Sequence, residues 1–251
     1  MRDETGTRMA GADRFPATRH SAVLAAQSDD VLERERGLAI LIDAYWKPAY
    51  KYIRLRHRAQ GEDARDLTQG FFTRAIEKDF FGGYDAAKGS FRTFLRVCLD
   101  RFVANELKAA AREKRSPGAP MLSLDFEGAE GEIAREPPDT SRSVEQYFHD
   151  EFARSVFGLA VEQLREECAQ RGRDLPYLLF ERYELDRDPD ERVTYESLAE
   201  EFHIPATQVT NFLAFARREF RRIVLEKLRE ITATDEEFRT EARSLLGVDA
   251  K

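Results

Sequence analysis

Residues 61–72 read G-E-D-A-R-D-L-T-Q-G-F-F. Ala64, Leu67, Phe71 and Ala75 recur at helical spacing, widened by Phe72 and Ile76, which predicts an amphipathic helix over 62–79 with that stripe facing a core. Asp66, Gln69, Gly70, Thr73 and Glu77 then project from the opposite side. Such a face is a solvated surface, a carboxylate site for chemistry, or a surface for another protein. Catalysis or metal binding needs acids converging from several elements, with a base or further ligands. His20, His57, His149 and His203 are scattered and follow no ligand spacing, so a metal-dependent nuclease using Glu62, Asp63 and Asp66 is the weakest reading. No enzymatic activity, metal or cofactor is expected.

Outward from this stretch the pattern stays helical. From Val31, Leu38, Leu41, Ile42 and Tyr45 fall at helical spacing, and Trp46, Tyr50 and Ile53 continue beyond Pro48, where a kink or restart is expected. A helix over 90–113 follows the loop G-G-Y-D-A-A-K-G-S. That loop is no phosphate-binding P-loop, because Lys-Gly-Ser reverses the required order and no strand precedes it. Between S-P-G-A-P at 116 and P-P-D-T at 137 the composition turns Pro-, Gly- and acid-rich, as a linker does. Helical patterns resume near Val144, including a long helix over about 144–171, and break at R-D-P-D from 187. The expected architecture is all-α, in two helical bundles. Its parts are a flexible segment over 1–30, a first domain over 31–115, an acidic Pro/Gly linker over 116–143, a second domain over 144–231 and an extension over 232–251.

The chain has 251 residues, 42% hydrophobic and 35% charged, which suits a globular protein with one or two cores. No apolar run approaches the roughly 18 residues of a membrane span, and no secretory h-region opens the chain, so a cytoplasmic location without membrane contact is expected. Cys98 and Cys168 read as buried thiols rather than a disulfide or zinc site. The net charge of -7 is unevenly spread. Residues 88–115 hold eight basic against three acidic side chains, residues 217–229 hold six against two, and residues 116–151 between them hold two against nine. Two basic blocks on helices, separated by an acidic stretch, point to two contacts with a polyanion.

The segment V-T-Y-E-S-L-A-E-E-F-H-I-P-A-T-Q-V-T-N-F-L, residues 193–213, has the pattern of a helix-turn-helix. Val209, Leu213, Ala216 and Phe220 point inward, which exposes Thr207, Gln208, Asn211, Arg218, Arg221 and Arg222 for a major groove and its phosphates. Phe212 and Phe215 are expected to pack against the 144–171 helix. In the 90–113 helix, Phe91, Phe94, Leu95, Cys98 and Phe102 form a buried stripe flanked by Arg101, Lys108 and Arg112, which can meet phosphates.

D-A-x-D-L-x-Q-x-F-F from Asp63, G-x-F-R-T-F-L from Gly89, N-E-L from Asn105 and the upstream Y-W-K-P-A-Y-K-Y-I-R together resemble the second conserved region of bacterial RNA polymerase sigma factors. The likeness is greatest to the extracytoplasmic-function type of the sigma-70 family and covers roughly 31–115. It implies that Asp63, Asp66, Gln69, Gly70 and Thr73 dock on core polymerase. It further implies that the loop 82–90 and the helix after it capture the minus-ten strand, with Tyr84, Lys88, Arg92, Arg96 and Asn105 as candidates beside Lys108 and Arg112. The helix-turn-helix corresponds to the fourth region, which reads the minus-thirty-five element. The resemblance implies core polymerase and promoter DNA as partners and admits an anti-sigma factor. Arg65 stands where the family has an acid, Phe94 where it has tryptophan, and V-T-N-F-L where V-K-S-R-L is common. The alternative is a free-standing helix-turn-helix regulator whose first domain dimerises.

Overall fold

The computed structural model describes residues 21–78, 80–110, 122–136, 143–186 and 193–247. Residues 1–20 of the expected N-terminal segment, parts of the 116–143 linker, the break at 187–190 and Arg112 lie outside them. Among the described residues ten α-helices follow in order: α1 Ala22–Ala25, α2 Val31–Arg56, α3 Gly61–Glu77, α4 Phe91–Ala110, α5 Phe126–Arg135, α6 Val144–Gln170, α7 Asp174–Phe180, α8 Tyr195–Glu201, α9 Ala206–Glu230 and α10 Asp235–Leu246. Among the described residues the fold is all-α without strands, and no helix is long and apolar enough to cross a membrane.

The axis of the fold is α2. Asp30 starts it by accepting a hydrogen bond from the Glu33 amide at 3.0 Å. Leu41, Ala44, Tyr45, Ala49, Tyr50, Tyr52 and Ile53 are all buried, because neighbours cover α2 on several sides. The short helix α1 crosses it at Gly37, where an added Cβ would lie 2.6 Å from the Ala26 amide nitrogen. Rings do much of the packing: Tyr45 stacks on Phe152 at 5.1 Å, and Tyr52 meets Phe148 edge-on at 5.3 Å, both partners being on α6. Trp46 and Tyr50 meet Phe126 of α5 edge-on at 5.6 and 5.0 Å.

The expected restart at Pro48 does not occur, since α2 runs unbroken from Val31 to Arg56. Proline lacks the amide that would bond the carbonyl four residues earlier. That carbonyl, of Ala44, instead accepts a hydrogen bond from Ser155 Oγ of α6 at 2.9 Å, so a distant side chain completes the helix.

Among the described residues one contiguous core extends from Ala22 of α1 to Ala242 of α10. The acidic stretch is also more than a connector. Phe126 and Ala129 of α5 are buried, and Asp125 caps that helix by accepting from the Gly128 amide at 2.9 Å. Its acids neutralise the cations of α2. Lys51, only 3% exposed, lies 2.7 Å from both Glu132 of α5 and Glu151 of α6, itself 3% exposed. Lys47 reaches Glu132 at 2.9 Å and Arg154 reaches Glu151 at 2.8 Å. Burial raises the Glu132 pKa, but hydrogen bonds and charge from Lys47 and Lys51 outweigh it and hold the group below the usual carboxylate value.

Ser155→Ala is expected to cost about 1 kcal/mol by leaving the Ala44 carbonyl unpaired, and much less in a Pro48→Ala background, where the helix amide returns. A urea double-mutant cycle reads this coupling. Lys51→Met alone is expected to cost about 3 kcal/mol in the same assay, and Lys51→Met with Glu151→Leu to recover most of the loss.

Candidate protein-binding and nucleic-acid-binding surfaces

The helix α3 is rolled relative to the expected wheel. Ala64, Thr68, Phe71, Phe72, Thr73 and Ala75 are buried, while Ile76 is 41% exposed. Thr73 therefore lies in the core rather than on the docking face, a correction whose cause is packing, since both α2 and α4 lie against α3. Gly70 is half-buried against α4, where a Cβ would stand 3.3 Å from the Phe102 ring, so the fold itself uses this glycine. Gln69 is half-buried, with Nε2 3.4 Å from the Leu122 carbonyl. Glu62, Asp63 and Asp66 are exposed near the N-terminal end of α3, where carboxylates are favoured by the helix dipole. Arg65, where the sigma pattern has an acid, places its guanidinium 5.3 Å from the Phe126 ring centre and so serves an internal contact with α5. Among the described residues no group of three or more His, Cys, Asp or Glu side chains is placed to hold a metal ion.

The loop before α4 is folded as two short 3-10 turns, Phe80–Gly83 and Ala86–Lys88, tied down by Gln27, which donates to the carbonyls of Phe81 and Tyr84 at 2.9 and 3.1 Å. Lys88 is open, at 82% side-chain exposure, beside Asp85 at 3.2 Å. On α4, Arg101, Asn105 and Lys108 are exposed along one flank. Three other candidates are occupied within the molecule. Tyr84 is buried against Phe91 at 5.3 Å, and its hydroxyl lies 3.1 Å from the Gly89 carbonyl and 3.4 Å from Glu237. Arg92 pairs with Glu241 of α10 at 2.8 Å, donates to His149 Nδ1, and lies over the Phe152 ring. Arg96 lies 3.2 Å from Glu145 and 3.5 Å from Asp100. Glu237 of α10 also accepts from the Phe91 amide at 2.7 Å, at the start of α4. The acidic run of 235–237 and the spacing of Glu237 and Glu241 are visible in the sequence, but their partners lie more than a hundred positions away.

In the helix-turn-helix segment the local chemistry agrees with the fold. Thr194 and Ser197 form a reciprocal capping box at the start of α8. The turn into α9 passes through His203 at φ 53°, a left-handed conformation that histidine tolerates better than most residues. Val209, Leu213 and Ala216 are buried, whereas Thr207, Gln208, Asn211, Arg218 and Arg221 are exposed on α9. Arg222 is held instead by Glu167 at 2.6 Å, Glu226 at 2.9 Å and Glu219 at 3.1 Å. Phe212 and Phe215 line a groove with Leu175 and Leu178 of α7, and Phe220 packs 5.9 Å from Phe157 of α6.

Two histidines bear on these surfaces. Burial lowers the pKa of His57, against the pull of Asp100 Oδ1, 3.4 Å from Nε2 but without hydrogen-bond alignment. Burial also lowers that of His149, and the charge of Arg92 adds to the effect while Asp150 opposes it. Because arginine only donates, His149 Nδ1 is the acceptor and Nε2–H donates to Ser244 Oγ at 3.0 Å.

A scan against protein-family models, a search of curated proteins and a search of solved structures each found no match.

With both imidazoles depressed below 6.5, the stability they contribute is complete above that pH and is lost as pH falls through the lower folded values. The melting temperature is expected to drop as pH is lowered from about 7 to about 5.5, with a shallower drop in H57Q/H149Q.

Proposed function

We propose that this chain is a promoter-specificity subunit that binds bacterial core RNA polymerase and directs transcription initiation. The observation that carries the reading is the exposed group Glu62, Asp63 and Asp66 on α3, a face that the core leaves unused and that carries the acids of the sigma-like motif. Supporting it are the exposed flank of Arg101, Asn105 and Lys108 on α4 and the polar and basic outer face of α9 from Thr207 to Arg221. The division of labour would be α3 for core polymerase, the loop 82–90 with α4 for the opened minus-ten strand, and α9 for upstream duplex. Phosphate contacts supply affinity and position, while bases captured from the opened strand supply selectivity. With several of its cations already paired internally, the isolated chain binds DNA weakly, and polymerase contributes the remaining affinity.

Mixed with bacterial core polymerase, the protein is expected to direct run-off transcription from a promoter library, and Asp66→Arg to reduce it by at least about tenfold, because a reversed charge at a docking contact repels the partner. Failure of the parent chain to bind core polymerase overturns the proposal. Tight, polymerase-independent binding to a symmetric operator would assign the chain to free-standing regulators instead.

A further inference from the structure

The terminal helix α10 lies on the loop and helix start that the proposed function assigns to the opened DNA strand, and it does so with carboxylates. Glu237 seats one oxygen 2.7 Å from the Phe91 amide and the other 3.4 Å from the Tyr84 hydroxyl. Glu241, 3% exposed, pairs with Arg92 at 2.8 Å. Ser244 Oγ meets His149 Nε2 at 3.0 Å, so successive turns of α10 engage this surface. An arginine, a helix-start amide and a phenol hydroxyl are also what a nucleic-acid backbone seeks. We propose that α10 is an internal acidic competitor, which occupies the surface around Tyr84 and Arg92 with Glu237 and Glu241 and withholds it from single-stranded DNA until the helix detaches.

The attachment of α10 suits a detachable element. It follows α9 after only four residues, 231–234, and its buried side chains are Phe238, Glu241 and Ala242. Phe238 lies against Arg229 of α9, whose guanidinium is 3.8 Å from the ring centre, and Arg229 also pairs with Asp235. Those two contacts tether α10 to α9 and need not break when the carboxylates leave α4. Burial raises the Glu241 pKa against the pull of Arg92, and the nearby Glu237 adds to the rise. The apolar hold of α10 on the core is Phe238 and Ala242 with the partly buried Leu245 and Leu246, and an edge helix so held opens at lower cost than the buried seam.

The inference rests on the reading of this surface as DNA-binding, and it is tested on the full chain without polymerase. Binding of a fluorescent mixed-sequence single-stranded oligonucleotide is measured by anisotropy for the parent and for E237Q/E241Q, with melting to confirm folding. The variant is expected to bind about fivefold tighter or more, with a steeper salt dependence, and to lose the gain when Arg92→Gln is added. Unchanged affinity in the folded variant overturns the proposal. A second measurement needs no variant. By linkage, saturating oligonucleotide must speed hydrogen exchange at the α10 amides of the parent chain, and unchanged or increased protection there overturns the proposal as well. If affinity rises but polymerase is not engaged, the promoter-specificity reading fails and the competitor stands; if initiation occurs but affinity and exchange do not change, only the competitor fails.

Discussion

A buried ammonium group organises this molecule. Lys51 sits in the middle of α2, and removing a charge from water costs several kcal/mol unless partners surround it. Its partners come from two later segments, Glu132 of α5 and Glu151 of α6. The charge therefore cannot be satisfied by α2 and its sequence neighbours; the acidic stretch and the long helix must both close over it. Arg154 and Lys47 extend the same network, so that Glu132 and Glu151 each face two cations. Such an arrangement is weak evidence for high stability, but it is strong in specifying register, because a shift of α6 by one residue would part Glu151 from Lys51 and leave that buried ammonium with Glu132 alone.

The same dependence on α6 appears in neutral chemistry. Pro48 removes one donor from α2, and Ser155 restores the missing hydrogen bond from outside the helix. Tyr45 and Tyr52 find their aromatic partners, Phe152 and Phe148, on the same face of α6. Charge, hydrogen bond and ring packing thus converge on a single helix-helix seam, and the two halves of the chain share one core. A protein that extends over polymerase and promoter through two separate modules would have to loosen that seam, or else present α3, α4 and α9 from one body. The exposed candidates, Asp63, Asp66, Lys88, Asn105, Lys108, Thr207, Gln208, Asn211, Arg218 and Arg221, all lie outside the seam and are accessible.

Charge placement separates what this form presents from what it holds back. Among the described residues, the cations of the first basic block divide into an exposed group, Lys88 beside Asp85, Arg101 and Lys108, and a half-buried group drawn into internal pairs, Arg92 and Arg96. On α9, Arg218 and Arg221 are open while Arg222 is enclosed by three glutamates. A negative net charge is therefore compatible with two basic surfaces, since many of the acids are spent on internal pairs.

Hydrophobic period alone was enough to read the all-α class, the positions of α2, α3, α4, α6 and the α8–α9 pair, and the inward residues Val209, Leu213 and Ala216, because those features depend on spacings of three, four and seven within one helix. The exposed acids of α3 were legible for the same reason. The roll that buries Thr73 and exposes Ile76 was not, because it is set by which neighbours approach each flank. Nor was the structure inside the acidic stretch legible, where Pro, Gly and Glu read as linker while Phe126 anchors a helix. The unbroken course of α2 through Pro48 and the covering of Tyr84 and Arg92 by α10 depend on partners about a hundred or more positions away. Sequence by itself determined which side chains each helix could offer; only the tertiary structure decided which of them remain on offer, because pairing of buried charges and hydrogen bonds is settled by proximity in space and not along the chain.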